Sequence, residues 1–233
     1  MGLGRGLPCP FVWVRGRSYD LGKMSETDAA NAVSGTTSGT ASSQNAALQN
    51  APGIREKGRL LSASEIDRTL VRLAHQIVEK HNGGGNLGLV GIKRRGVPLA
   101  QRIGKIIEGI EKQPVEIGQL DISFYRDDLS TDGPRPTVNK GAIGFDIADR
   151  DIILLDDVLY TGRTIRAALD ALFDHGRPRS VRLLVLVDRG HRELPIEAQF
   201  VGRVVPTSSR EIIEVKLNEI DGVDQVLLVE RAE

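Results

Sequence analysis

The stretch DIILLDDVLYTGRT, residues 151–164, decides how the chain is read. Four aliphatic residues, 152–155, run straight into two adjacent carboxylates, Asp156 and Asp157. A loop with one glycine and two threonines follows, and from Arg163 onward the spacing is helical. A continuous apolar run of this kind suits the middle of a parallel sheet, where a strand is buried on both faces.

Outward from that strand, helix and strand patterns alternate. Ser62 or Ser64 caps a helix that runs to about residue 81, with Glu65 placed for a capping box to Ser62. NLGLVGI (86–92) reads as a buried strand. Residues 97 to about 112 read as a helix stopped by Pro114, and VEIGQLDISFY (115–125) as a longer strand. Residues 126–149 are polar, carry prolines and show little periodicity. Residues 163–175 form a helix with Gly176 as its terminating glycine, and SVRLLVLV (180–187) is a further buried strand. Residues 199–229 alternate and predict short strands outside the main sheet. The expected fold class is α/β: an open, doubly wound parallel sheet with a small C-terminal hood of short strands. Ligands in such folds bind at the carboxyl ends of the strands.

Composition narrows the function classes. The 233 residues carry 31 basic and 31 acidic side chains, so no global basic field draws the chain to nucleic acid. Any RNA contact needs a local patch. Cys9 is the one cysteine, which excludes an intrachain disulfide and a cysteine-cluster zinc site. A lone thiol fits a reducing cytoplasm. No apolar run approaches the roughly 20 residues of a membrane helix. LPCPFVWV (7–14) is short, is broken by Pro8 and Pro10, and is cut off by Arg15 and Arg17, unlike a signal peptide. Residues 25–57 have no aromatic side chain and few large aliphatics, too little apolar surface to offset chain entropy. The expected organisation is a disordered tail over 1–57 and one domain over 58–233. One hypothesis is that translation starts at Met24, leaving 1–23 untranslated, which mass spectrometry of the native protein would test.

In a doubly wound fold, Asp156 and Asp157 sit in the crevice at the end of their strand. The amides of a helix start beside a glycine make an anion site, and Thr161 and Thr164 add hydroxyl donors. Carboxylates so near an anion must face hydroxyls or a hydrated cation, so a sugar phosphate meets both demands. An ATPase would need a Gly-x4-Gly-Lys-Ser/Thr loop, which the chain lacks. A receiver domain would carry its acidic pair after the first strand.

The segment IILLDDVLYTGRT resembles the phosphoribosyl-pyrophosphate signature of type I phosphoribosyltransferases. The resemblance implies that Asp156 and Asp157 hold the ribose hydroxyls. It also implies that the loop after Val158, made of Leu159, Tyr160, Thr161, Gly162, Arg163 and Thr164, cradles the 5′-phosphate. GIKRRGVPLA places Lys93, Arg94, Arg95 and Gly96 after the first body strand, a dense positive turn suited to pyrophosphate. The family carries its pyrophosphate loop here, often with threonine where this chain has Arg94. Asp156, Asp157 and Arg95 are then the candidate catalytic residues. SFYRDDLS stands where the family has a mobile lid, with Tyr125 and Arg126 on its fixed edge. Magnesium is implied as cofactor, held mostly by the oxygens of phosphoribosyl pyrophosphate.

Beyond the signature, VDRGHRELP, RTLVRLAHQIVEK and DISFYRDDLS resemble the family of pyrimidine-operon regulatory proteins, over about residues 60–228. That family converts uracil to UMP and binds pyrimidine-gene leader messenger RNA in response to UMP. The resemblance implies a base pocket at Val187 and Arg189, a cytoplasmic homodimer or larger assembly, and RNA contacts from the first helix and the GHRELP segment. On that helix Ile66, Leu70, Leu73 and Ile77 define the core face, while Arg68, Arg72, His75 and Glu79 lie opposite. Arg72, His75, Lys80, His191, Arg192 and Arg203 match the family's RNA-binding positions. Glu197 departs from the pattern, since the family commonly has arginine after LPI. A salvage enzyme without RNA binding stays open, and a purine salvage enzyme explains the signature but not VDRGHRELP.

Overall fold

The computed structural model describes residues 11–14, 17–20, 54–81, 86–123 and 143–231, and the chain divides into two compact units, Met1–Leu48 and Gln49–Glu233. In the first unit β1 (Phe11–Val14) and β2 (Arg17–Asp20) pair antiparallel, Phe11 opposite Asp20. This hairpin falls inside the segment expected to be a disordered tail. The β-branched and aromatic FVWV run favours such pairing locally.

The second unit holds the sheet. Its elements in order are β3 (Ile54–Ser62), α1 (Ala63–His81), β4 (Leu87–Ile92), α2 (Gly96–Glu111), β5 (Glu116–Leu120) and β6 (Asp151–Leu159). Then come α3 (Arg163–Phe173), β7 (Ser180–Asp188), β8 (Phe200–Val204), β9 (Glu211–Lys216), α4 (Asn218–Asp221) and β10 (Gln225–Arg231). Five strands form a parallel sheet in the order β5-β4-β6-β7-β8. Alternate residues of β6 serve opposite layers. Ile153 and Leu155 join the core under α1 and α2, with Leu70, Leu73, Ile103 and Ile107. Ile152 and Leu154 join the core under α3, with Ile165, Ala168 and Leu172. Each such buried aliphatic side chain stabilises the fold by roughly 2 kcal/mol.

Helix α1 begins as its sequence dictates. The Ser62 N–H and hydroxyl both donate to Glu65 Oε2, at 2.8 and 2.6 Å, which is the glutamate half of a capping box. Its buried face is Ile66, Leu70, Leu73, Ala74 and Ile77.

The hood differs from expectation in two ways. It is a three-stranded antiparallel sheet in the order β3-β10-β9, so one of its strands comes from the amino end of the body. The first of the late strands, β8, belongs instead to the main sheet, pairing parallel with β7. Two elements are shorter than read. Strand β5 stops at Leu120 because Asp121 Oδ1 accepts from the N–H and hydroxyl of Ser123, turning the chain. Helix α3 ends at Phe173, where the amides of His175 and Gly176 reach only three residues back. Among the described residues no helix is long and apolar enough to cross a membrane.

Candidate active site

The site opens where the sheet reverses its winding. From β4 the chain moves outward to β5, and from β6 it moves the other way to β7 and β8. Pairing of β6 with β4 ends at Leu155, opposite Gly91, whereas pairing with β7 continues to Leu159. The last four residues of β6 therefore border a crevice, at the topological switch point where ligands bind in such sheets. Asp156 is buried and Asp157 partly so. The Asp157 N–H donates to Asp156 Oδ1 at 3.0 Å, and the Val158 N–H to Asp157 Oδ1 at 2.9 Å. Burial, with the neighbouring Asp157 charge, pushes the Asp156 carboxyl well above the ordinary range. Burial also raises Asp157, against the pull of Arg95. A pair in this state calls for hydroxyl donors or a cation.

Beyond Leu159 the chain turns through Gly162, whose φ of +92° is a left-handed conformation that favours glycine. The first-turn amides of α3 have no carbonyl one turn earlier to pair with; that of Arg163 donates to Thr161 Oγ1 at 3.4 Å, and those of Thr164 and Ile165 stand where a helix start receives an anion. The connection between β7 and β8 braces this loop. The Thr161 carbonyl accepts from the amides of Glu193 and Leu194, at 3.0 and 3.1 Å. Arg192 donates to the carbonyls of Tyr160, Gly190 and Ile196 and to the Asp188 carboxylate. Arg163 pairs with Glu193 at 2.7 Å. From beneath, buried Arg189 lies 4.1 Å from the Tyr160 ring centre, while donating to the Thr207 hydroxyl and the carbonyls of Ser208 and Glu211. Thr164 is in the first turn of α3.

Across the crevice lies the turn of Lys93, Arg94, Arg95 and Gly96, whose Lys93–Arg94 peptide is cis. A Cβ on Gly96 would stand 2.3 Å from the Leu155 carbonyl oxygen, and one on Gly91 2.4 Å from the Gly96 oxygen. Close packing of β4, α2 and β6, rather than a positive φ, is what requires glycine here. Lys93 Nζ bonds Asp121 Oδ2 at 3.2 Å, and Arg94 is exposed. Arg95 Nε and Nη2 reach the Asp221 carboxylate at 3.2 and 2.9 Å. Sequence reading missed Asp121, Asp188 and Asp221. Only the Asp188–Arg192 pair had a local signal, opposite charges four residues apart.

The remaining candidates are placed as follows. Val187 is fully buried in the core under α1 and α2, because β7 is covered on both faces, so only its backbone is available to a base. Tyr125 and Arg126 lie outside the described residues. Arg72 is exposed, yet its Nη2 donates to the carbonyls of Val201 and Gly202 on the sheet edge. Arg203 Nη1 donates to the Leu60 carbonyl, Lys80 lies over the Phe200 ring at 5.1 Å, and His75 is exposed. Arg72, Lys80 and Arg203 gather where α1 meets β8. His191 Nε2 meets the Thr207 carbonyl, and its ring lies edge-on to Tyr160. His191, Arg192 and Glu197 line an open groove of about 620 Å³ at the ends of β7 and β8.

The phosphoribosyl transferase domain family matches residues 58–219, and the chain is a member of it. Solved structures agree on the fold. A hypoxanthine-guanine phosphoribosyltransferase from Bacillus anthracis superposes with a TM-score of 0.57 at 22% identity, over 76% of this chain and 99% of that one. A hypoxanthine phosphoribosyltransferase from Trypanosoma cruzi gives 0.60 at 17% identity, over 75% and 96%. Curated relatives named "Bifunctional protein PyrR" are far more similar. That of Pelotomaculum thermopropionicum is 54% identical over 77% of this chain and 99% of its own length. That of Thermus thermophilus is 56% identical over 76% and 98%. The chain belongs to the bifunctional PyrR family.

Proposed function

We propose that this chain transfers the phosphoribosyl group of phosphoribosyl pyrophosphate to uracil, giving UMP and pyrophosphate, and that it binds pyrimidine-gene leader RNA in response to UMP. One observation carries the enzymatic reading. A buried and a half-buried carboxylate near the end of the strand at the switch point are followed by a glycine turn and a helix start, and a turn of three cations ends the neighbouring strand β4. The C1–oxygen bond breaks, its electron pair leaving with pyrophosphate. A bond forms from C1 to a ring nitrogen of uracil, which gives up its proton. Asp156 and Asp157 face the ribose hydroxyls and stabilise the cationic sugar of the transition state. The loop from Leu159 to Thr164 holds the 5′-phosphate, and Lys93, Arg94 and Arg95 hold the pyrophosphate. Positioning supplies most of the rate.

Magnesium fits this donor set in a limited way. The two aspartates offer hard oxygens, but among the described residues no three His, Cys, Asp or Glu side chains gather as a metal site. The ion would be held mainly by the substrate's own oxygens, near Asp156 and Asp157, and would neutralise the pyrophosphate charge. The test is UMP formation from labelled uracil, phosphoribosyl pyrophosphate and magnesium, with hypoxanthine offered as competitor. Hypoxanthine used in preference to uracil would sink the assignment.

The regulatory half rests on family membership and on the cations where α1 meets β8. We place the protein in the cytoplasm as a homodimer or larger assembly. A second reading, salvage without RNA binding, is favoured by a specific observation: Arg72, Arg192 and Arg203 already donate to backbone carbonyls, and Glu197 lines the nearby groove. A gel shift on the leader RNA with and without UMP separates the two.

A further inference from the structure

Within the proposed site, Arg95 is the one cation of the turn tied to the hood. Its Nε and Nη2 fork onto both oxygens of Asp221, at 3.2 and 2.9 Å. Asp221 is itself fixed, since its Oδ2 also accepts the Leu217 N–H at 2.9 Å. The pair is only partly exposed, with side-chain accessibilities of 29% and 20%, and Arg95 is close enough for its charge to act on Asp157. A guanidinium has five N–H groups in a rigid plane. Docking one edge on Asp221 leaves the Nη1 pair and the second Nη2 hydrogen directed elsewhere. Asp221 thus occupies one side of the fork without consuming it.

From this geometry we infer that Asp221 is a positioning residue for the reaction: it holds the Arg95 guanidinium at the crevice mouth, free edge available to the pyrophosphate of the substrate. Ordering a long side chain before the ligand arrives removes an entropic cost from binding. The hood does not depend on this pair for its docking. Arg102, one helical stretch further along α2, bonds Glu219 at 2.8 and 2.6 Å and Asp224 at 2.7 Å. Removing the Asp221 charge therefore leaves the turn anchored on both sides of it.

This inference rests on the phosphoribosyltransferase reading, and the experiment separates the two. Binding of phosphoribosyl pyrophosphate with magnesium is measured by calorimetry on the full chain, alongside steady-state kinetics. Wild-type protein that fails to bind overturns the phosphoribosyltransferase reading and this inference with it. If it binds, Asp221→Asn is expected to weaken binding about tenfold, raising KM for phosphoribosyl pyrophosphate while kcat and the KM for uracil stay within about twofold. Glu219→Gln, which loosens the same turn without touching Arg95, should leave binding unchanged. In an Arg95→Lys background, which keeps the charge but loses the fork, Asp221→Asn should add no further loss. Unchanged or tighter binding by Asp221→Asn overturns the inference. So does an equal loss in Glu219→Gln, or a full additional loss in the Arg95→Lys background.

Discussion

Arg192 Nη1 donates to the carbonyl oxygen of Tyr160 at 2.8 Å, across 32 positions of sequence. With its other donors on Asp188, Gly190 and Ile196, this guanidinium closes the β7–β8 connection onto the loop that follows the acidic pair. Arg192→Ala should therefore lower kcat/KM about tenfold through a loosened loop and lower Tm, because the partly buried Asp188 carboxylate loses its partner. Kinetics and thermal melting check both. A variant with wild-type kinetics and stability that loses only RNA affinity would reverse this assignment.

Asp156→Asn and Asp157→Asn should each lower kcat by ~10²-fold or more, since each removes a carboxyl group that the proposed reaction sets against the sugar. Both side chains sit at the sheet's open end, so folding should survive, and circular dichroism would confirm it. Turnover within a few-fold of wild type in both variants would refute the proposed role.

Gly96→Ala should destabilise the protein by about 1–3 kcal/mol. The added Cβ meets the Leu155 carbonyl oxygen at 2.3 Å, and strand backbone cannot give way as a flexible side chain can. Urea unfolding measures the loss, and an unchanged midpoint would contradict the packing argument.

At the other end of the sheet, Asp151 accepts from Arg179 and from the Ser180 hydroxyl, and His81 lies 3.8 Å away. The Arg179 hydrogen bonds hold the Asp151 carboxyl down at about 2. A depressed carboxyl contributes stability above its unfolded value near 3.8 and loses it as pH falls towards 2. Burial keeps His81 below its ordinary value, so its protonation on acidification, below about pH 6.5, also costs stability. Asp151→Asn should cost about 2 kcal/mol at pH 7 and nearly nothing at pH 2. Unfolding at several pH values checks this, and a penalty independent of pH would show that packing, not charge, is what was lost.

Lys80 has no hydrogen bond among those described and lies exposed beside Phe200. If the face between α1 and β8 grips leader RNA, Lys80→Ala should flatten the log–log salt dependence of binding by about one unit without lowering Tm. An unchanged slope would remove this residue from the RNA surface.

Much of this architecture was legible because its signals are local. The run at 152–155 suits a strand covered on both faces, and the capping box joins Ser62 to Glu65, three positions on. The acidic pair and the threonine-glycine loop are consecutive in sequence, so chemistry and position could be read together. The β3 strand was not legible. Its sequence, IREKGRLLS, carries four charged residues among nine, and its partner β10 lies more than 160 residues away. The helical period of α1 put Arg72 on the outer face, but only the fold shows unpaired β8 carbonyls beside it. The same holds for Asp221, which meets Arg95 across 126 positions.

The middle place of β10 in the hood has a consequence for biosynthesis. Strands β3 and β9 share no strand partner but β10, which leaves the ribosome after every other described strand. The parallel sheet, the acidic pair and the loop that follows it can all assemble while the hood still waits for residues 225–231. A nascent chain stalled before that point would carry the parallel sheet without a completed hood, with the apolar side chains of Leu61, Ile213 and Val215 open to chaperones or to another unfinished chain.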